Sequence, residues 1–161
     1  LVSPTPPWVL VAGYVAGGVI RGVMVGLVVL LVSLFFTKLV VYDLFVVLAF
    51  LVLTSLVFSL AGLVNGVYAK TIDGINIVPT FVLQPLVYLG GVFYSTDTLS
   101  GFWRTLTQID PVFYIINGFR YGFLGISDVP IFYSTGLLVG LVVVLGAAAL
   151  YLIRIGLGLK Q

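Results

Sequence analysis

Apolar positions in this chain come in long runs, not in alternation. Charge-free, mostly apolar stretches cover residues 1–20, 22–37, 44–69, 74–96 and 129–153. A helix rises 1.5 Å per residue, so about 20 apolar residues cross the roughly 30 Å of bilayer hydrocarbon. Backbone groups in lipid must pair internally, which leaves helices or a closed barrel. Barrel strands alternate over about 10 residues, whereas "LFVVLAFLVLTSLVFSLAGL" does not. The pattern therefore predicts an all-α membrane protein with transmembrane helices over about 11–34, 44–66, 75–93 and 131–154. An even number of spans puts both termini on one side.

The stretch 94–130 breaks the pattern, being polar and aromatic and holding four charges, Asp97, Arg104, Asp110 and Arg120, before Asp128 near its end. It contains two short helical signals. The first covers about 101–108, with Phe102, Leu106 and Ile109 on an apolar face. The second opens at Asp110, a good N-cap, with Pro111 at the first helical position, and closes at Gly125. Val112, Ile115, Ile116, Phe119 and Phe123 supply its apolar contacts, and Tyr114, Asn117 and Tyr121 fall on another face. Neither segment is long enough to span. The pattern fits an amphipathic helical hairpin that re-enters the bilayer with its aromatics at headgroup level. It also fits an ordinary loop whose aromatics are interface anchors.

Two features inside the spans bear on function. Gly18, Gly22 and Gly26 form a ridge of small residues on one helix face, and Gly136 and Gly140 repeat the spacing in the last span. Such ridges let helices approach closely in lipid. In the third span Asn76, Thr80, Gln84 and Tyr88 recur every four residues and share a face. Pro79 and Pro85 are candidate kinks there, each removing a backbone donor and freeing a carbonyl one turn back. A kinked polar stripe suits a translocation path or a subunit seam. It equally suits interhelical hydrogen bonding without a path.

Composition narrows the classes. The chain has 161 residues, 61% hydrophobic, with seven Lys or Arg against five Asp. A soluble domain carries about a quarter charged residues. The net charge of +2 is too small to point to nucleic acid. With no His, Cys or Glu, the usual metal ligands and acid–base groups are missing. No phosphate-cradling G-x-x-x-x-G-K-[ST] stretch occurs either. Arg21, inside the first span, costs about 2.5–3.5 kcal/mol on the insertion scale. Lys70, Arg154 and Lys160 lie on one side and Lys38, Arg104 and Arg120 on the other, so the positive-inside rule is balanced. Arg154 and Lys160, at a span end, favour cytoplasmic termini. The chain opens on Leu1, so a fragment of a longer protein is expected.

The segments "GGVFYS" and "DPVFYIINGFRYGFLG", with "SPTPPWVLVAGYVAGGVIRG" at the start and "GLVNGVYAKTIDGINIVPTFVLQPLVYLGGVFYS" in the middle, resemble type-2 ABC transporter permeases of the YadH-like group. The likeness covers nearly the whole chain. It implies a six-span subunit of which residues 1–161 are the C-terminal part, forming one transmembrane type-2 domain fragment. It also implies cytoplasmic termini, a periplasmic re-entrant hairpin over 94–130, and a third span near a dimer seam and export path. The implied partners are a separate ABC ATPase subunit, which carries ATP and magnesium, a second permease copy as a homodimer, and membrane lipid. The implied location is the bacterial inner membrane, and no cofactor binds the permease itself. Two positions depart from the usual pattern: Leu99-Ser100 stands for Leu-Pro, and Asp110-Pro111 for Asn-Pro. Asp110 thereby adds a negative charge that can pair with Arg104 or Arg120.

The reading is thus a permease subunit, not an enzyme, of an ATP-driven exporter for a lipid, glycolipid, polysaccharide or hydrophobic drug. The rivals are a secondary transporter fragment and a structural membrane protein without transport. No Asp lies inside a predicted span, which argues against the proton-coupled rival.

Overall fold

The computed structural model describes residues 6–36, 41–69, 71–91 and 101–155. The remaining residues, including 92–100 of the third span and hairpin, lie outside the described residues, as do the side chains of Asp73 and Arg104. Among the described residues the chain is helical throughout, with no strand. Long helices α1 (Pro7–Phe36), α2 (Leu44–Tyr68) and α7 (Ile131–Arg154) are each long and apolar enough to cross a membrane. Between α2 and α7 lie α3 (Ile72–Val78), a π-helical turn (Pro79–Leu83), α4 (Gln84–Leu89), α5 (Phe102–Ile109) and α6 (Pro111–Leu124).

The bundle forms around α2, which packs against α1, α6 and α7. Its N-terminus is fixed twice at Asp43. The carboxylate accepts from the backbone N–H groups of Phe45 and Val46, and the Asp43 N–H donates to the Gly122 carbonyl of α6 at 2.9 Å. One apolar cluster joins Phe50 and Val57 of α2 to Ile115 of α6 and Leu138 of α7. A second joins Val11 of α1, Leu60 of α2 and Ala149 of α7. Burying such a side chain contributes about 1.5–3 kcal/mol in water. Inside a bilayer the gain shifts to close packing, because lipid tails are as apolar as Leu.

Close packing is where the glycines act. Gly18, Gly22 and Gly26 of α1 lie against Ser59, Ser55 and Leu51 of α2, and a methyl group at any of the three would collide with that neighbour. Gly136 and Gly140 have the same spacing on α7, yet nothing lies within 4 Å of the space a methyl would fill. Spacing alone does not choose a packing face; the opposing helix does.

The third apolar segment is the least enclosed part. Its apolar helix, Gly74–Leu89, is about 24 Å long at 1.5 Å per residue, short of the three long helices. Pro79 and Pro85 are candidate kinks from sequence; the structure has one widened turn beginning at Pro79 and ending before Pro85. The Gln84 backbone N–H reaches back five residues to the Pro79 carbonyl. In α geometry the Pro85 ring would press on the carbonyl four residues earlier; widening the turn moves it away. The carbonyl of Ile75, which Pro79 cannot serve for lack of an N–H, accepts from Asn65 Nδ2 on α2 at 2.9 Å. A freed carbonyl is thus satisfied by protein, as lipid requires.

Candidate functional site

The predicted site residues separate into two groups. On the interrupted helix 72–89, Asn76, Thr80, Gln84 and Tyr88 are all exposed, as are Pro79 and Pro85. Phe81, at 73% exposure, stands beside them. The polar stripe and its prolines are therefore exposed among the described residues. The far end of this segment behaves differently. Gly90 and Gly91 are buried, with Gly90 close to Ile116 and Val112 of α6.

The hairpin group has the opposite character. Asp110 caps α6 as expected, with one carboxylate oxygen accepting from the Val112 N–H at 2.8 Å, and Pro111 opens the helix. Gly125 closes it in the left-handed conformation, φ 70°. Asp110 is nearly fully buried and its second oxygen has no hydrogen-bond partner among the described residues. Burial raises its carboxyl above the ordinary value, and the Val112 N–H partly offsets that. The Tyr114 hydroxyl donates to the Gln108 carbonyl at 2.8 Å, tying α6 back to α5. The Tyr121 ring meets Tyr42 edge-on, centroids 5.8 Å apart.

Two expectations change here. Helical spacing placed Asn117 with the tyrosines on a separate face, yet it is completely buried. Its Nδ2 donates to the Val129 carbonyl at 2.8 Å and the Ser134 hydroxyl at 2.9 Å. Its Oδ1 accepts from the backbone N–H groups of Asp128 and Val129. An amide has two donor hydrogens and two acceptor lone pairs, so all its capacity is used. Asn117 thereby pins the turn before α7, and the first turn of α7, to α6.

The second change is the partner of Arg120. Asp110 does not take it. Arg120 Nη1 donates to Asp128 Oδ2 at 2.7 Å, and Nη2 to the Gly91 carbonyl at 2.9 Å. The Asp110 carboxylate is turned instead into the first turn of its own helix, where the unpaired N–H groups draw it. Arg104, the other expected partner, has its side chain outside the described residues. Arg120 joins three segments: the end of the third apolar segment, α6, and the turn into α7. Asp128 and Gly91, which sequence reasoning did not select, complete the junction. Asp110 and Asp128 carry the same charge and flank Arg120 at similar distances in the chain, which left no signal to choose between them.

The family follows from the sequence that builds this arrangement. Residues 1–124, ending on the last residue of α6, match the model of the ABC-2 type transporter family. The chain belongs to the ABC-2 type transporter family. The whole chain is 53% identical to the inner membrane transport permease YadH of Escherichia coli K12 and, equally, to that of Shigella flexneri. It spans 63% of the length of these curated relatives. No solved structure gives a significant match. As an ABC-2 membrane domain, the chain has the helices, the interrupted third segment and the helical hairpin described above.

Proposed function

We propose that this chain is part of the membrane-spanning subunit of an ATP-driven exporter in the bacterial inner membrane. Two such subunits form the path and a separate ATPase supplies the energy. The supporting observation is the exposed polar stripe Asn76, Thr80, Gln84 and Tyr88 on a helix whose two ends are held by Asn65 and Arg120. Polar side chains at membrane depth are costly facing lipid, and they normally face a bundle interior or a water-filled cavity. In the proposed dimer the stripe meets that of the second copy across the seam, and the third segment crosses the bilayer.

The paired helices α5 and α6 form the outer cap of the path in this reading. Gly118 of α6 packs on Phe50, about 9 Å along α2 from its first residue. A helix wedged to that depth without crossing supports re-entry; in this reading it enters from the outer face, and both termini are cytoplasmic. ATP binding would draw the ATPase-linked ends of the spans together. Arg120 would then carry the shift from the third segment to the cap through Gly91.

The test is a disulfide between copies. Cysteines at Thr80 of both subunits, in the complete permease with its ATPase, should lock the seam and stop export until reduced. Export that continues with the seam locked would refute the shared path. An absence of ATP turnover in the purified assembly would refute the ATP-driven reading itself.

A further inference from the structure

The corner between α5 and α6 carries an acid where a charge is hard to keep. Among the described residues α5 packs substantially on α6 and on no other element, whereas α6 is held by α2, α4 and α7. Two bonds tie α5 down. The Tyr114 hydroxyl donates to the Gln108 carbonyl at 2.8 Å, and the Asp110 N–H to the Thr107 carbonyl at 3.2 Å. Thr107 and Asp110 are buried there, 1% and 3% exposed. Asp110 is the extended residue that ends α5 and caps α6. Among the described residues, α5 is thus a flap that turns on Asp110.

The two carboxylate oxygens of Asp110 differ. Oδ1 accepts from the Val112 N–H at 2.8 Å, while Oδ2 is shut away without a hydrogen-bond partner. A shielded, unpaired carboxylate oxygen favours the protonated form. Position adds to this. Gly122 of α6 rests on Val47 and Gly118 on Phe50, so α6 runs antiparallel to α2 and descends towards its middle. Asp110 lies eight residues, about 12 Å, further along α6.

Few charges surround the corner. Residues 44–69, 74–91 and 131–153, which include the packed lengths of α2, α4 and α7, carry none. Their titratable groups are exposed tyrosines, Tyr68, Tyr88, Tyr133 and Tyr151. On α6 the Tyr114 hydroxyl is engaged by Gln108, Arg120 by Asp128 and Gly91, and Tyr121 meets Tyr42. On α5 the one charged residue is Arg104, whose side chain lies outside the described residues.

We infer that this corner is a proton-operated hinge: with Asp110 protonated α5 lies closed on α6, and when Oδ2 gives its proton to water the corner hydrates and α5 swings free. The carboxylate is not stranded on opening, because the unpaired N–H groups of the first turn of α6 still hold it. The closed form binds the proton more tightly than the open form, so rising pH favours opening. This rests on the reading of α5 and α6 as the outer cap, and adds that acidity at the outer face keeps the cap shut.

The test places spin labels on Thr105→Cys in α5 and Leu124→Cys in α6, both exposed positions. The full-length permease, free of other cysteines and with its ATPase, is held in phosphatidylcholine nanodiscs, labelled subunits being diluted with unlabelled ones. Electron–electron double resonance reads the distance across about pH 4.5 to 8.5, an interval above the ordinary Asp value of about 3.9. One short distance should dominate at the acid end and a longer one should replace it as pH rises, the ratio changing by up to about tenfold per pH unit for one proton. Asp110→Asn, which keeps the cap without the charge, should hold the short distance throughout. Tyr114→Phe, which removes a closing bond, should move the opening to lower pH. Arg104→Gln should leave the response in place.

A distance that ignores pH overturns the inference, as does an unaltered pH response in Asp110→Asn. Loss of the response in Arg104→Gln overturns it too, since the acid would then be governed by an ion pair. A midpoint that Tyr114→Phe does not move contradicts closure at this corner. An assembly without ATP turnover counts against the exporter reading alone, because the distances report on the hinge without transport.

Discussion

The helix 72–89 and the helix α6 are built from similar material and put it to opposite use. Both are apolar segments with a polar residue at nearly every turn. On α6 the polar groups point inward and find protein: Asn117 is saturated, and Arg120 holds Asp128 and the Gly91 carbonyl. On 72–89 they are exposed, and Asn65 and Arg120 hold the two ends of the segment. Polar residues that complete a subunit are buried within it. Those exposed on its surface stay open to contact from outside it. Arg120 bridges the two regions, so movement of one is felt by the other.

Substitutions should separate these roles. Asn117→Leu removes the partner of the Val129 carbonyl and of the Asp128 and Val129 N–H groups at a part-buried turn, and should cost about 2–4 kcal/mol. Unfolding of the purified permease in mild detergent measures it; a loss under about 1 kcal/mol would contradict the saturated-hub account. Arg120→Gln removes a charge-assisted pair from the part-buried Asp128 carboxylate and should cost about 1.5–3 kcal/mol. It should also increase cleavage by protease near Gly91.

Glycines sharpen the same contrast. Gly118→Ala drives a methyl into the Phe50 ring and should cost about 1–3 kcal/mol, whereas Gly140→Ala meets open space and should be neutral or slightly stabilising. Equal effects would mean that α6 does not rest on α2 as described. Asp110→Asn keeps the cap and removes a buried charge, so near neutral pH stability should be unchanged or up to about 1 kcal/mol higher.

The pH profile of Asp110 has a definite sign. Its folded carboxyl is raised by burial, so the folded state holds the proton more tightly than the unfolded state does. Stability from this group is full below the ordinary carboxylate value, falls as pH rises to the raised value, and is flat above it. Asp110→Asn should remove that decline from the unfolding curve. The smallest stability effect belongs to Gln84→Leu, within about 0.5 kcal/mol, because the side chain is exposed. Export should nevertheless fall sharply, and normal export would separate the stripe from the path.

The all-helical membrane class, the ends of α2, α6 and α7, the Asp110 cap and the Gly125 stop were all legible in the chain, because each rests on local chemistry. Length and run of apolar residues mark a helix that can cross lipid, and a cap needs only its own first turn. The tertiary structure alone decided the remainder. It chose Asp128 over Asp110 for Arg120, buried Asn117, widened one turn between Pro79 and Pro85, and put Gly18, Gly22 and Gly26 in contact while leaving Gly136 and Gly140 open. The physical reason is common to all four. A pattern along one helix states what a face can do, but a contact needs two faces, and the second comes from a segment distant in the chain.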